Sequence, residues 1–214
     1  MRPMSKNRVD NPFFARMWTI LSAHEPESLR TLRQENLAGL SGRVLEVGAG
    51  TGSNFVLYPT SVDEVVAIEP EPRLNTIAER TAATAPVPVT VTDRTVEQLE
   101  PGAPFDAVVC SLVLCSVDDQ ESVLRQLFSQ LRPGGELRYL EHVASGGVRG
   151  RLQQLVDATI WPRLAGNCHT HRDTERAIVN AGFVQKTTRH DWTLPFWVPM
   201  PVSEHALGQA IRPA

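Results

Sequence analysis

The chain has few cysteines and no surplus of basic charge. Three of its 214 residues are cysteines, namely Cys110, Cys115 and Cys168, and this odd, sparse set argues against a disulfide framework and for a reducing cytoplasm. The 21 basic and 24 acidic side chains leave a net charge of −3, and the arginines are scattered. Because nucleic acid is bound through concentrated positive charge, we expect no nucleic-acid partner.

Long apolar runs are also lacking. The longest, from Phe105 to Val117, is interrupted by polar residues and falls short of the ~20 residues that cross a bilayer. Residues 1–10 are polar and basic, without the apolar segment of a secretory signal. The 42% of hydrophobic residues suffices for one core, so we expect one soluble globular domain without a membrane span. The oligomeric state is left open.

A glycine-rich turn is the most informative stretch that is present. Strand-forming residues lie between positions 44 and 47, and glycines follow in the pattern Glu46-x-Gly48-x-Gly50-x-Gly52. Glycine permits backbone angles and close approaches that a Cβ forbids. The pattern predicts a strand, a sharp turn and the start of a helix, which place N–H groups and a helix N-terminus against a ligand. We expect a nucleoside with a charged tail; the alternative is a tight turn without a ligand.

The spacing of these glycines bears on which nucleoside is bound. A dinucleotide fingerprint has the form G-x-G-x-x-G, whereas here the third glycine, Gly52, comes one residue early. An NAD-dependent oxidoreductase is therefore a disfavoured alternative.

A second apolar stretch, Val65–Ile68, ends in Glu69 and Pro70. An acidic side chain at the end of the second strand can accept hydrogen bonds from both ribose hydroxyls in folds of this layout. Pro70 suits the first turn of a following helix. We therefore expect Glu69 to bind ribose; the alternative is an exposed loop carboxylate.

From residue 42 onward, apolar strand-like and helix-like stretches alternate, which predicts a parallel sheet with helices on both faces. In such sheets ligands bind beyond the carboxyl ends of the strands, where the strand order reverses. The expected strands are Val44–Val47, Val65–Ile68, Val87–Val91, Ala107–Ser111 and Leu137–His142, and the expected helices are Gly52–Tyr58, Arg73–Ala83 and Asp119–Leu131.

The two ends of the chain differ from this alternation. Two amphipathic helices are expected near Asn11–Leu21 and Pro26–Leu40, so that residues 1–41 either cap the ligand pocket of the core, residues 42–214, or only cover a sheet edge. After a turn at Leu131–Gly135, helices are expected at Arg149–Leu164 and Arg172–Ala181. Two successive strands, Phe183–His190 and His205–Ile211, then predict an antiparallel pair at the sheet edge.

From Gly42 to Arg212 the chain resembles the class I S-adenosylmethionine-dependent methyltransferases. Within them it is most similar to the small group that includes the alkyl thiol methyltransferases. The matching pieces are Leu45–Gly52 with Ser53-Asn54-Phe55 and Tyr58-Pro59, Val66–Glu69, Phe105–Val117, Leu131–Gly135, Leu140–Val143, Cys168-His169 with Arg172-Asp173-Thr174, and His205-x-x-Gly208.

This resemblance implies a Rossmann-like fold, with a seven-stranded, mostly parallel sheet and an antiparallel last strand. It implies S-adenosylmethionine as cofactor and a small-molecule methyl acceptor, expected to be a thiol, with O- or N-methylation or a non-catalytic cofactor-binding module as alternatives. The cofactor-binding residues implied are Glu46, Gly48, Ala49, Gly50, Gly52, Asn54, Glu69, Pro70, Thr95, Val96, Ser111 and Leu112.

Two departures from the resemblance matter. Membrane-attached animal members carry an N-terminal hydrophobic anchor that is not found here, so we do not expect their membrane roles. Many relatives have an acidic residue, alanine and glutamate in the adenine loop, where this chain has Arg94–Glu97. The adenine contact is therefore left open between Asp93, Thr95, Glu97 and the backbone near Val96.

Methyl transfer from a sulfonium is an in-line displacement for which positioning supplies much of the acceleration. His142, at the end of the fifth expected strand, is the candidate for proton removal or thiolate stabilisation, because imidazole titrates near neutrality. The alternative is a histidine bonded to a backbone carbonyl.

Cys168–His171, with Cys115 and His142 near them, could form a metal site, but no pair with ligand spacing supports one and we expect none. We expect Cys115 to be a small buried hydrophobe and Asp173 to be an N-cap. An apolar acceptor wall is expected from Trp161, Trp192, Phe196 and Trp197, the alternative being plain core.

Overall fold

The computed structural model describes residues 9–100, 102–193, 198 and 200–214. A central sheet contains seven strands with helices packed around it. The strands are β1 (Gly42–Val47), β2 (Val62–Ile68), β3 (Val89–Thr92), β4 (Phe105–Ser111), β5 (Leu131–His142), β6 (Val184–Trp192) and β7 (Glu204–Ile211). The helices are α1 (Pro12–Ala23), α2 (Glu27–Leu37), α3 (Pro72–Ala82), α4 (Gln120–Gln130), α5 (Gly147–Asp157), α6 (Trp161–Leu164) and α7 (Thr174–Asn180).

The strand order is β3-β2-β1-β4-β5-β7-β6. Strands β1 to β5 pair in parallel, whereas β7 is antiparallel to both β5 and β6. The order reverses between β1 and β4, so the carboxyl ends of these two strands, at Val47 and Ser111, flank the switch point at which ligands bind in open α/β sheets. The predicted mostly parallel sheet with an antiparallel edge pair is confirmed.

Both faces of the sheet are covered, which explains why the central strands are apolar at successive positions. On one face Leu45 and Val108 pack with Leu124 and Leu127 of α4. On the other, Val44 and Val65 belong to a second cluster that lies under α2 and α3. Each fully buried aliphatic side chain of this kind stabilises the fold by roughly 1.5–3 kcal/mol relative to exposure.

Polar side chains cap the N-termini of several helices. Asn11 accepts a hydrogen bond from Phe14 N ahead of Pro12 in α1, and Glu71 accepts from Arg73 N and Leu74 N at the start of α3. Asp173 accepts from Arg176 N, which confirms it as the N-cap of α7.

The helix predicted at Gly52–Tyr58 is wrong. Only a short 3₁₀ helix, Phe55–Leu57, follows the glycine turn, so the turn does not lead directly into an α-helix. Pro59 prevents continuation of a helix, and burial of Phe55 and Tyr58 holds the segment against the sheet.

Two other boundaries differ from the sequence prediction. The helix expected at Arg149–Leu164 is divided into α5 and α6, with Pro162 in the first turn of α6. The segment Leu131–Gly135, expected to be a turn, forms the first part of β5. The register between β4 and β5 shifts there, between Phe105 and Ala107 of β4. Within the residues described, no helix is both long enough and apolar enough to cross a membrane.

Candidate active site

A cleft of about 780 Å³ opens at the switch point of the sheet. The carboxyl ends of β1, β2 and β4 form its floor, and α1, α6 and the loop after α6 form its walls. Its volume falls within the range of small-molecule and cofactor sites. The lining includes Phe14, Trp18, Gly48, Gly50, Glu69, Pro70, Glu71, Thr95, Val96, Glu97, Ser111, Leu112, Ser116, Asp118, Pro162, Arg163, Gly166 and Asn167.

The glycine turn after β1 is held by hydrogen bonds to the end of β2. Gly48 N and Ala49 N both donate to the carbonyl oxygen of Ile68, at 2.9 and 3.1 Å. Gly50 has a φ of +59°, and a Cβ there would lie 2.7 Å from Trp18 Nε1. Glycine is therefore required at this position both by the backbone and by the close approach of α1.

Glu69 directly follows β2, as predicted, and lies in the floor of the cleft. Its Oε2 accepts from Gly50 N at 2.7 Å, and its Oε1 accepts from Glu71 N at 2.9 Å. Burial raises the pKa of Glu69 to about 7, although these two backbone N–H groups oppose the shift. Each carboxylate oxygen retains capacity for a further donor, such as a ribose hydroxyl.

Glu46 lies one layer below the cleft. It is almost fully buried and accepts from Asn54 Nδ2 at 3.0 Å and from Tyr58 OH at 2.7 Å. Asn54 also donates to Ser111 Oγ and accepts from Arg33 Nη1 of α2. Burial raises the pKa of Glu46 to about 7, and these neighbours oppose the shift. Glu46 thus supports the cleft by fixing Asn54 and Ser111.

The loop after β4 forms the side of the cleft opposite Glu69. Leu112 has a φ of +59°, a left-handed conformation that costs a non-glycine residue roughly 1–2 kcal/mol. Its N–H donates to Leu140 O, and Glu141 Oε1 accepts from Val113 N and Leu114 N. Strand β5 therefore holds this loop in its strained form.

The outer end of the cleft is built by segments outside the sheet. Phe14 and Trp18 of α1 stack with a centroid separation of 5.9 Å, and a Cβ on Gly166 would lie 2.8 Å from the Phe14 ring. Asn167, also in a left-handed conformation, donates from Nδ2 to Ser116 O and Asp118 Oδ1. These contacts join α1, the loop after α6 and the loop after β4.

The structure brings most of the sequence-predicted cofactor residues to the cleft. Eight of the twelve line it, namely Gly48, Gly50, Glu69, Pro70, Thr95, Val96, Ser111 and Leu112. The other four, Glu46, Ala49, Gly52 and Asn54, lie outside the lining and shape the turn from behind. Phe14, Trp18 and Asn167 also line the cleft and were not predicted as site residues. The sequence showed that Phe14 and Trp18 lie on one face of a helix, but it did not show which part of the cleft that face covers.

His142 does not line the cleft. His142 is the last residue of β5, and its side chain is buried. Its Nε2 lies 3.2 Å from Cys168 Sγ, and its ring is edge-on to the ring of His205. Burial opposes protonation, yet the contact with Cys168 leaves the pKa of His142 raised overall. Cys115, which is buried as expected, lies beside the same pair of side chains.

The expected aromatic acceptor wall is not found for the two tryptophans that the structure describes. Trp161 packs against Cys115 and Cys168 behind the cleft wall, and Trp192 lies on the outermost strand under the guanidinium of Arg149. Phe196 and Trp197 lie outside the described residues.

Acidic side chains dominate the charge of the cleft. Its lining contains the carboxyl groups of Asp10, Glu69, Glu71, Glu97 and Asp118, whereas Arg163 is the single lining side chain from arginine or lysine among the residues described. Such a field attracts a cationic ligand and repels a pyrophosphate. A cofactor with a sulfonium and an ammonium group fits this cleft better than a dinucleotide does.

The fold and the cleft define a Rossmann-like, nucleoside-binding enzyme of the methyltransferase class. The chain belongs to the methyltransferase family, since the family model described as a methyltransferase domain matches residues 21–184. It is thus an S-adenosylmethionine-dependent methyltransferase that acts on a small molecule, as its resemblance to the class I enzymes implies.

Several relatives match nearly the whole chain. Thiol S-methyltransferase TMT1B of Mus musculus is 34% identical over 212 residues, which cover 94% of this chain and 85% of the relative. Thiol S-methyltransferase TMT1A of Homo sapiens is 33% identical over 213 residues, with the same coverage. Among solved structures, N-methyltransferase NodS of Bradyrhizobium japonicum in complex with S-adenosylhomocysteine superposes with a TM-score of 0.62 and 16% identity, covering 95% of this chain and 89% of that one.

Proposed function

We propose that this enzyme methylates the sulfur of a small thiol. The observation that carries the proposal is the extent of the match to relatives named thiol S-methyltransferases, which spans 94% of this chain. A match of this extent includes the segments at the acceptor end of the cleft as well as the cofactor-binding turn. A cytoplasmic location and the absence of a nucleic-acid partner stay predictions from composition.

The residues of the cleft floor fit the cofactor. When bound, S-adenosylmethionine supplies an electrophilic methyl group on a positively charged sulfur. We propose that Glu69 accepts from the ribose hydroxyls and that the amino acid tail lies along the turn at Gly48–Gly50, where both glycines line the cleft without a side chain. We propose that the adenine ring packs against Thr95–Glu97, which line the cleft.

The outer end of the cleft is then the acceptor site. We propose that α1 caps it, with Phe14 excluding water and offering an apolar surface to the acceptor, while Trp18 extends the cap over Gly50 of the glycine turn. The second N-terminal helix, α2, packs on the sheet, where its Leu32 contacts Leu140 and Leu207.

The proposed reaction needs little acid–base chemistry. The acceptor sulfur forms a bond to the methyl carbon while the carbon–sulfonium bond breaks, its electron pair stays on the departing sulfur, and the thiol proton passes to solvent. A thiol has a pKa near 8.5, so modest stabilisation of the thiolate suffices. The buried ring of His142 does not line the cleft. We therefore propose that His142 contributes to this stabilisation indirectly, through its neighbours Cys168 and Cys115.

A methyl-transfer assay with matched acceptors tests the proposal. The purified chain is incubated with S-adenosylmethionine and with alkyl thiols, the corresponding alcohols and the corresponding amines, and S-adenosylhomocysteine is quantified by mass spectrometry. We expect turnover of thiols alone. Preferential turnover of an alcohol or amine would replace the thiol with an O- or N-acceptor, and binding of cofactor without any turnover would support a non-catalytic module.

A pair of glycine variants tests the cofactor site separately. Gly50 and Gly39 both have positive φ, but a Cβ at Gly39 meets no atom within 4 Å. Gly50→Ala should weaken S-adenosylhomocysteine binding by at least about tenfold, which corresponds to about 1.4 kcal/mol. Gly39→Ala introduces the same backbone strain away from the cleft and should bind as wild type does. Equal effects of the two substitutions in calorimetric titrations would contradict the site assignment.

A further inference from the structure

Three potential metal ligands meet behind the acceptor end of the cleft. Cys115 follows β4, His142 ends β5 and Cys168 follows α6, so three separate segments contribute one side chain each. The two Sγ atoms and a ring nitrogen of His142 all lie within 4.8 Å of one another. The three side chains are at most 7% exposed, so they form a built site rather than a chance grouping on the surface.

The backbone around the three ligands is fixed by hydrogen bonds that do not involve the ligand atoms. His169 N donates to Cys115 O at 2.9 Å, and Arg172 Nη1 donates to Leu114 O at 2.9 Å and Val117 O at 2.7 Å. The loop that carries Cys168 is thereby tied to the loop that carries Cys115. The two sulfurs therefore face each other before any bond between them or to a metal is formed.

The geometry and the donor types match one class of ion. Zn–S distances of about 2.3 Å and Zn–N distances of about 2.0 Å in a tetrahedron place the donor atoms roughly 3.5–3.8 Å apart. The 3.2 Å separation of Cys168 Sγ and His142 Nε2 and the 4.8 Å limit for the set bracket these spacings. Two sulfurs and an imidazole nitrogen are ligands for zinc rather than for magnesium or calcium.

We propose that Cys115, His142 and Cys168 bind one divalent zinc ion. Sequence spacing favours no metal, because the ligands come from distant segments; the proposal stands on their convergence in space. No fourth histidine, cysteine or carboxylate joins them in the part of the chain that the structure describes, so the fourth ligand is a solvent or small-molecule donor.

The proposed site lies next to the acceptor space. Ser116 lines the cleft, and its Oγ is 3.4 Å from Cys115 Sγ. Gly166 and Asn167, which also line the cleft, directly precede Cys168 in the chain. A bound ion would hold these two parts of the acceptor wall together, a role that goes beyond the methyl transfer proposed above.

Metal analysis of the purified chain is the direct test. The protein is produced in zinc-supplemented medium without a histidine tag and is desalted under reducing conditions, and its zinc content is measured by elemental mass spectrometry. We expect about one zinc per chain. After removal of zinc with a chelator, Co²⁺ should restore one equivalent, with the thiolate-to-cobalt charge-transfer and intense visible bands of tetrahedral sulfur coordination.

Variants assign the metal to the three ligands. Cys168→Ser and His142→Gln should lose stoichiometric zinc and the cobalt bands, whereas Cys110→Ala, at a buried cysteine on β4, should retain both. Titration with S-adenosylhomocysteine verifies that each variant is folded, and this reading is independent of the acceptor. A wild-type chain that binds neither ion, ligand variants that retain the metal, or a Cys115–Cys168 disulfide in the freshly isolated, unreduced protein would each overturn the proposal.

Discussion

In the proposed cofactor site, Glu69 is the residue on which we expect recognition to depend most. Glu69→Gln removes a charged acceptor of hydrogen bonds and should lower the affinity for S-adenosylhomocysteine at pH 8 by roughly 10- to 100-fold, the equivalent of about 1.5–3 kcal/mol. The folded-state pKa of about 7 adds a pH dependence. Because ribose hydroxyls donate to the carboxylate form, wild-type affinity should rise by up to about tenfold between pH 6 and pH 8.

Calorimetric titrations of wild type and Glu69→Gln across that pH range measure both effects. The variant should show a flatter dependence than the wild type, because the amide does not titrate. Parallel pH profiles for the two proteins would show that the dependence arises elsewhere.

The position of Glu69, Gly48 and Gly50 at the cleft could be predicted from the sequence, because a strand end and a turn leave local signals. The supporting position of Glu46 below the cleft could not be predicted in the same way. Its partners Asn54 and Tyr58, and Arg33 behind Asn54, meet it only when the chain folds. The convergence of Cys115, His142 and Cys168 had no local signal at all. Distances between segments depend on the packing of several elements, which spacing along one chain does not encode.

Among the elements, α1 is the one that we propose caps the acceptor end of the cleft. Phe14 faces the cleft, whereas its neighbour Phe13 is 58% exposed on the outer side of the same helix. Phe14→Ala should raise the KM for the methyl acceptor roughly tenfold, about 1.4 kcal/mol, because apolar surface that the acceptor would bury is lost. Its effect on S-adenosylhomocysteine affinity should be smaller.

Phe13→Ala is the matched control, since it shortens the same kind of side chain on the same helix without opening the cleft. Steady-state kinetics and cofactor titrations of both variants provide the comparison. A similar rise in KM for both, or a loss confined to cofactor binding, would contradict the proposal that α1 caps the acceptor.

The strands were predicted more accurately than the helices. Apolar runs ending in turn residues located the central strands, because both faces of a covered sheet demand apolar side chains. The edge strand β6 is largely exposed and polar, and it was predicted from its strand-like residues alone. The errors at Gly52–Tyr58 and Arg149–Leu164 involve Pro59 and Pro162, which limit a helix whatever the periodicity of its neighbours.

At the scale of the whole molecule, the buried carboxyl of Glu46 links stability to pH. Its folded-state pKa of about 7 exceeds the ordinary value of 4.5, so the folded protein binds the proton more tightly than the unfolded chain does. The resulting contribution to the free energy of unfolding, of up to about 3 kcal/mol, is fully present below pH 4.5 and is lost as the pH rises through 7.

Glu46→Gln isolates this contribution. The free energy of unfolding of wild type minus that of the variant should decrease between pH 5 and pH 8, because only the wild type must bury a charge at the higher pH. Urea denaturation at a series of pH values, without cofactor, measures the difference. A difference that is constant or increases with pH would refute the linkage.

The division of the cleft between sheet and periphery bears on how such enzymes diverge. The proposed cofactor half is formed by strand ends that also make the core, so substitutions there are constrained by folding. The proposed acceptor half is formed by α1, α6 and the following loop, which can change while the sheet stays intact. New acceptors can thus arise through mutation of these outer segments, with the methyl donor retained throughout the lineage.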